Sequence, residues 1–93
     1  MIKSFKDKTT EMLWFGEYNR KLDIKLQRMA RMKLRMMNSA QDLNDLKIPP
    51  SNHLKKLHGD RQGFFSIRVN KRWRLVFEFD GKDCYKVEFI DYH

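Results

Sequence analysis

Three stretches in the second half of the chain decide its fold. They read Phe64-Phe65-Ser66-Ile67-Arg68-Val69, Trp73-Arg74-Leu75-Val76-Phe77-Glu78-Phe79 and Cys84-Tyr85-Lys86-Val87-Glu88-Phe89-Ile90. Aromatic and β-branched residues alternate here with polar or charged ones, and this period of two predicts strands with one buried and one exposed face. The short segments 70–72 and 80–83 separate the stretches, and in the second of them Asp80-Gly81 is the predicted turn, where Gly81 suits the positive φ of a tight hairpin. The pattern predicts a largely antiparallel sheet.

One side of each predicted strand is expected to face the core. The inward sets are Phe65, Ile67 and Val69; Trp73, Leu75, Phe77 and Phe79; and Tyr85, Val87 and Phe89. Because side chains alternate along a strand, Arg68 projects from the opposite face.

The first half of the chain has helical spacing. A short helix is predicted around residues 12–15, with Asp7 or a nearby threonine as its N-cap, and a longer one over residues 22–37. The apolar residues predicted on the core face of the longer helix are Leu22, Leu26, Met29, Ala30, Leu34 and Met37. A second stripe, Ile24, Met32 and Met36, is interpreted as the edge of a wide core face, or alternatively as a docking surface for a partner chain.

The remaining segments complete an α+β prediction. Residues 1–5 and 54–57 are candidates for short strands, and Ser39 with Asp42 is predicted to form a capping box for one further helical turn. We therefore expect a mostly antiparallel sheet of four to five strands, with two to three N-terminal helices packed on one face, in a single domain spanning residues 1–93.

The amino-acid composition narrows the classes of function that the chain can have. Twenty Lys and Arg against twelve Asp and Glu give a net charge of +8, which favours a polyanionic partner over a merely soluble basic surface. A single cysteine, Cys84, excludes an internal disulfide. The chain shows no apolar run long enough to span a membrane and no signal-peptide core, so a cytoplasmic location without membrane association is expected. No carboxylate pair has metal-ligand spacing, so neither a metal site nor another cofactor is expected.

Candidate functional residues lie in the same half of the chain as the strands. Cleavage of RNA without a metal needs a base for the 2′-OH, an acid for the leaving 5′-oxygen and cations for the phosphorane. The residues expected to supply these roles are His58, Lys55, Arg74, Asp91, Tyr92 and His93. Contacts to the RNA backbone are expected from His53, Lys56, Arg61, Arg68, Lys71 and Arg72, although for turn residues such as Lys71 and Arg72 a merely solvated role is the favoured alternative.

A family resemblance rests on motifs spread over nearly the whole chain. They are Ile2-Lys3-Ser4-Phe5, the turn with Ala40, Leu43 and Asp45-Leu46, Asn52-His53-Leu54, Leu57, Gly59-Asp60-Arg61, Gly63, Ser66-Ile67-Arg68-Val69-Asn70, Trp73-Arg74, Phe77 and the closing Asp91-Tyr92-His93. Together they resemble the HigB branch of the RelE/ParE toxin superfamily.

The resemblance implies a type II toxin that enters the ribosomal A site and cuts translated mRNA. It also implies a helix-turn-helix antitoxin of the HigA type, through which alone the pair would bind operator DNA. The family's catalytic set falls on Asp91, Tyr92 and His93, with Arg74 on the scissile phosphate. Some members carry a histidine and, three residues later, a lysine; here Lys55 and His58 stand in the reverse order, so the identity of the general base stays open.

Two alternatives remain open at this point. One is a non-catalytic toxin of the same fold that blocks a protein target, as the gyrase-poisoning ParE branch does. The other is a plain RNA-binding module with aromatic stacking platforms.

Overall fold

A computed structural model describes residues 1–92, and in this range two α-helices precede a four-stranded sheet. The helices are α1, Lys8–Trp14, and α2, Ile24–Ser39. The strands are β1, Lys55–Lys56; β2, Phe64–Arg68; β3, Trp73–Phe79; and β4, Cys84–Asp91. Short 3-10 helices span Leu43–Lys47, Pro50–Asn52 and Gly59–Arg61. The sheet order is β1-β2-β3-β4 with every neighbouring pair antiparallel, which confirms the predicted α+β class.

The core lies between the helices and one face of the sheet. Register places Ile67 opposite Leu75, and Leu75 opposite Phe89, so these three side chains share a face. They are buried in one cluster with Leu13 of α1 and Leu34 of α2. The alternation of the strands therefore predicts the buried face of β2 and β3 correctly.

Tyr85 is an exception to the predicted alternation. The β3–β4 pairing shifts between Val76 and Glu78, and Lys86 takes a left-handed φ of 52°, so β4 carries a bulge. Beyond the bulge Tyr85 lies opposite Glu78 and away from the core, while Cys84 is fully buried. The prediction of Tyr85 as a core residue is wrong because one extra residue reverses the alternation. Burial raises the pKa of the Cys84 thiol to about 11.

The buried face of α2 includes a lysine. Met29, predicted in the core, is 37% exposed, whereas Lys33 is only 7% exposed. Position 33 lies three residues after Ala30 and four before Met37, both fully buried, so it falls on the inward face. The Lys33 ammonium is accommodated there because it donates to Asn52 Oδ1 at 2.5 Å.

The second stripe of α2 divides into two parts. Met32 is 48% exposed and Ile24 is also exposed. Met36 is half-buried and packs against the core cluster, as expected for the edge of a wide core face. No helix within residues 1–92 is long and apolar enough to cross a membrane.

The predicted N-cap of α1 is confirmed, whereas the capping box predicted for the turn after α2 does not form. Asp7 Oδ1 accepts the Thr10 N–H at 2.8 Å at the start of α1. The 3-10 helix Leu43–Lys47 begins at Asp42, whose Oδ1 accepts the Asp45 N–H at 3.3 Å. Ser39 instead ends α2, so the proposed capping box between Ser39 and Asp42 does not form.

The N-terminal segment forms isolated bridges to β4. Ile2 pairs with Cys84 and Phe5 with Val87, both in parallel orientation, without a continuous strand. These bridges cover the β4 edge of the sheet.

Candidate nucleic-acid interface

Arg74 lies on the face of the sheet opposite the helices. It is 7% exposed, its Nε donates to Ser66 Oγ at 3.0 Å, and its Nη2 donates to the His53 carbonyl at 2.5 Å. A guanidinium has five N–H groups, and the Nη1 pair has no hydrogen-bond partner within residues 1–92. Both engaged acceptors are neutral, so Arg74 is fixed in orientation while its charge stays uncompensated by any carboxylate there.

Arg68 lies directly across from Arg74 in the β2–β3 pairing. Its Nε donates to the Asn70 carbonyl at 3.1 Å, which holds the half-buried side chain at the end of β2. Burial lowers the pKa of Arg74; the nearby Tyr92 phenol raises it, and the charge of Arg68 lowers it further. Arginine side chains carry a permanent positive charge in proteins, so an anion placed between these two relieves their repulsion.

The two arginines line a concavity of about 330 Å³, which we call the cationic groove. Its wall consists of His53, Lys55, Arg68, Asn70, Lys71, Arg74 and Tyr92. None of these residues is acidic. The groove therefore brings together five residues that the sequence singled out in separate segments, together with Tyr92, and it suits a phosphate group.

A second concavity of about 480 Å³, the mixed groove, opens on the other side of Tyr92. Leu57, His58, Arg61, Ile90, Asp91 and Tyr92 line it. It combines an imidazole, a guanidinium and a carboxylate, and it contains the predicted proton-transfer residue His58. Tyr92 belongs to both walls and forms the ridge between the grooves.

The ridge is held in place from two directions. The Tyr92 ring faces the Arg74 guanidinium, whose carbon lies 5.7 Å from the ring centroid. The Tyr92 N–H donates to the Arg72 carbonyl at 2.5 Å. The residue is nevertheless 43% exposed, so part of it remains accessible to a ligand.

Asp91 pairs with Arg72 in an exposed ion pair. Arg72 Nε also donates to Asp91 Oδ1 at 3.3 Å, and these contacts raise the pKa of Arg72. Arg72 thus holds the end of β4, and it lines neither groove. The predicted partner of Asp91, His93, lies outside the described residues.

Lys56 is separated from the other predicted RNA contacts. Lys55 pairs with Ser66 and Lys56 with Phe65, and neighbouring residues of a strand point to opposite faces. Lys55 therefore joins the face of Arg74, while Lys56 is directed toward the helix side and lines neither groove.

Two residues that support the site were not predicted as functional. Ser66 orients Arg74, and its position on the same strand face as Arg68 was the available signal. Asn70 Oδ1 accepts the N–H groups of Arg72 and Trp73, each at 2.9 Å, and so fixes the turn between β2 and β3. An asparagine in a hairpin turn is the usual sign of such a side-chain contact.

No group of three His, Cys, Asp or Glu side chains within residues 1–92 is arranged to hold a metal ion.

The arrangement can be compared with known proteins. A family model described as the RelE-like toxin of the type II toxin–antitoxin system HigB matches residues 3–93. The chain belongs to this HigB-like toxin family. Toxin HigB-1 of Vibrio cholerae is 37% identical over 83 residues, which cover 87% of each chain. Endoribonuclease HigB of Proteus vulgaris is 34% identical over an alignment of 98 residues that spans both chains completely. Membership of a type II toxin–antitoxin family implies an antitoxin partner.

Solved structures support the same fold for this HigB-like toxin. YafQ from E. coli strain BL21(DE3) superposes with a TM-score of 0.60 at 13% identity, over 98% of this chain and 93% of that one. A chain of the YoeB–YefM complex from Staphylococcus aureus gives 0.57 at 19% identity, over 100% and 98%. At these identities the similarity concerns the fold alone.

Proposed function

We propose that this HigB-like toxin is a ribosome-dependent mRNA endonuclease that cleaves without a metal ion. The relative from Proteus vulgaris is named an endoribonuclease. The observation that carries the proposal is Arg74, a buried guanidinium without a carboxylate partner in residues 1–92, in the wall of the cationic groove beside the Tyr92 ridge. Such a group is suited to the charge that develops on a phosphorane.

The reaction begins with attack of the 2′-oxygen on the adjacent phosphorus. The 2′-O–P bond forms, a base takes the 2′-OH proton, the P–O5′ bond breaks, and an acid protonates the leaving 5′-oxygen. The products are a 2′,3′-cyclic phosphate and a 5′-hydroxyl. Arg74, Lys55 and Arg68 carry the phosphate in this proposal, because all three line the cationic groove.

Proton transfer is assigned to the mixed groove and the chain end. His58, Asp91 and Tyr92 line that groove within reach of a nucleotide laid across the ridge. His93 follows Tyr92 directly in the sequence and completes the set. Of these groups, His58 and His93 share the acid and base roles, while Asp91 positions the chain end through Arg72.

The ribosome supplies positioning that the toxin surface lacks. Both grooves are shallow concavities on an open sheet face, so a flexible RNA gains little orientation from them alone. Binding in the A site would present a codon in a fixed geometry, and such orientation is worth a large fraction of a reaction barrier. A HigA-like helix-turn-helix antitoxin neutralises the toxin in the bacterial cytoplasm and carries the operator DNA binding of the pair.

Product analysis tests the chemistry. Ribosomes programmed with mRNA and purified toxin should yield a 2′,3′-cyclic phosphate and a 5′-hydroxyl. Replacing the single 2′-hydroxyl before the cut by 2′-deoxy should abolish cleavage there, and deoxy substitution one nucleotide away serves as the control. A 5′-phosphate product, or cutting of the deoxy-substituted site, would contradict the mechanism.

Induction in cells tests the function itself. Wild-type toxin should produce mRNA 5′ ends within translated codons and arrest growth, whereas a folded His93→Ala variant should do neither. Intact messages accompanied by DNA damage would instead indicate a gyrase-directed toxin, and RNA binding without any product would indicate a plain binding module.

A further inference from the structure

A third concavity, of about 470 Å³, lies between α2 and the turn that joins β2 to β3. We call it the helix–turn groove, and its wall consists of Met29, Met32, Lys33, Ser51, Arg68, Val69, Asn70 and Lys71. Arg68, Asn70 and Lys71 also line the cationic groove. The two grooves therefore share a wall, and a molecule seated in one approaches the cations of the other.

Lys33 gives the helix–turn groove a buried positive charge. The residue is 7% exposed, and burial lowers the pKa of its ammonium group. The Lys33 ammonium donates to the neutral Asn52 Oδ1. The Asn52 Nδ2 donates to the Leu46 carbonyl at 3.1 Å, and this contact turns the amide oxygen toward the lysine. No carboxylate in residues 1–92 forms an ion pair with Lys33. A buried cation of this kind gains stability when an anionic group enters beside it.

The rest of the wall is aliphatic and accessible. Met29 and Met32 are 37% and 48% exposed, and Val69 lies beside them in the groove. None of the residues within 1–92 that line it is aromatic. Single-stranded nucleic acids are usually held by stacking on aromatic side chains, whereas exposed methionines adapt to the side chains of a protein partner. The lining thus favours a peptide that carries a carboxylate between aliphatic anchors.

We propose that the helix–turn groove is the docking site of an acidic segment of the antitoxin. A carboxylate of this segment approaches Lys33, with Arg68 and Lys71 beside it, while aliphatic side chains pack on Met29 and Met32. Only the consequence of this docking rests on the proposed function. An acidic segment seated in the helix–turn groove contacts Arg68 and Lys71 and therefore competes with RNA for the wall that this groove shares with the cationic groove.

Opposite charges at one position test the docking directly. The antitoxin from the same operon is titrated into purified wild-type toxin, Met32→Glu and Met32→Lys, and the Kd is measured by calorimetry. Met32→Glu places a carboxylate against the acidic segment and should weaken binding by about tenfold or more, whereas Met32→Lys should bind as well as wild type or better. Phe15→Glu changes the net charge equally at an exposed position outside the groove, and its Kd should be unchanged.

A second test of the docking removes the buried charge of Lys33. Lys33→Met keeps the length of the side chain, and its melting temperature establishes that it folds; its Kd for the antitoxin should rise about tenfold and become less sensitive to salt. Equal Kd values for Met32→Glu and Met32→Lys would overturn the proposal. So would a Met32→Glu variant that binds the antitoxin normally but loses mRNA cleavage, because the groove would then serve RNA. Binding is measured without ribosomes, so a toxin that fails to cleave mRNA still tests the docking.

Discussion

The two grooves on either side of Tyr92 differ in how their charges are balanced. In the cationic groove, Arg74 donates to the neutral oxygens of Ser66 and His53, and none of the lining residues within 1–92 is acidic. In the mixed groove, the Asp91 carboxylate forms part of the wall and pairs with Arg72. Cations without a carboxylate beside them attract phosphate strongly, whereas a carboxylate in the wall of a groove repels an incoming phosphate.

This difference supports a division of roles. The cationic groove is suited to holding the scissile phosphate. The mixed groove, which contains an imidazole and a carboxylate, is suited to moving protons. The ridge residue Tyr92 contacts the Arg74 guanidinium and joins the two sides. Three sets of substitutions separate the contributions, in order from the largest expected effect to the smallest.

Replacing Arg74 should have the largest effect. In Arg74→Lys the charge remains, but the planar fork that contacts Ser66 and the His53 carbonyl is lost, so the cation no longer points at the phosphate. We expect the single-turnover cleavage rate on ribosomes to fall about 1,000-fold, as for loss of a principal donor to a developing charge. The exposed Arg35→Lys on α2 is the matched control and should cleave normally. A folded Arg74→Lys protein with full activity would remove Arg74 from the chemistry.

The two histidines allow the same substitution on opposite sides of the ridge. His58→Asn removes the imidazole from the mixed groove and should slow cleavage about 100-fold, as expected for a general acid or base. His53→Asn should change the rate by less than about threefold, because His53 contacts Arg74 through its backbone carbonyl and asparagine tolerates its left-handed φ of 44°. Single-turnover rates over a range of pH measure both. The reverse order of effects would place proton transfer in the cationic groove.

Salt dependence gives the smallest but most specific contrast. Lys55→Gln removes a cation from the cationic groove and should reduce the slope of log K against log salt for a non-cleavable RNA by about 0.7, the value for one phosphate contact on a single strand. Arg72→Gln removes a cation that is already paired with Asp91 and should leave the slope unchanged. Titration of fluorescent RNA at several salt concentrations measures both slopes. Equal slopes for the two variants would mean that the ion pair opens when RNA binds.

The sequence predicts the sheet and the strand face of Arg68 correctly because both depend on local alternation. Arg68 and Arg74 each have an apolar neighbour directed at the core, so their placement on the opposite face follows from the period of two. The bulge at Lys86 is not visible in the alternation of the sequence, and the predicted core position of Tyr85 is therefore wrong.

Other parts of the site depend on contacts between distant residues. The pairing of Arg72 with Asp91 requires the β3–β4 register, which sets Trp73 opposite Asp91. The burial of Lys33 requires Asn52, nineteen residues away, to offer its amide oxygen. Neither contact follows from the spacing of residues on one strand or one helix, so both become apparent only in three dimensions.

The most direct test of the central proposal is the structure of the toxin bound to a ribosome carrying mRNA with a 2′-O-methyl group at the cleavage position. We expect a non-bridging oxygen of the scissile phosphate to lie within about 3 Å of an Arg74 guanidinium nitrogen, with the nucleotide crossing Tyr92 toward His58. An mRNA bound on the helix side of the sheet, or a scissile phosphate beyond the reach of Arg74, would contradict the account.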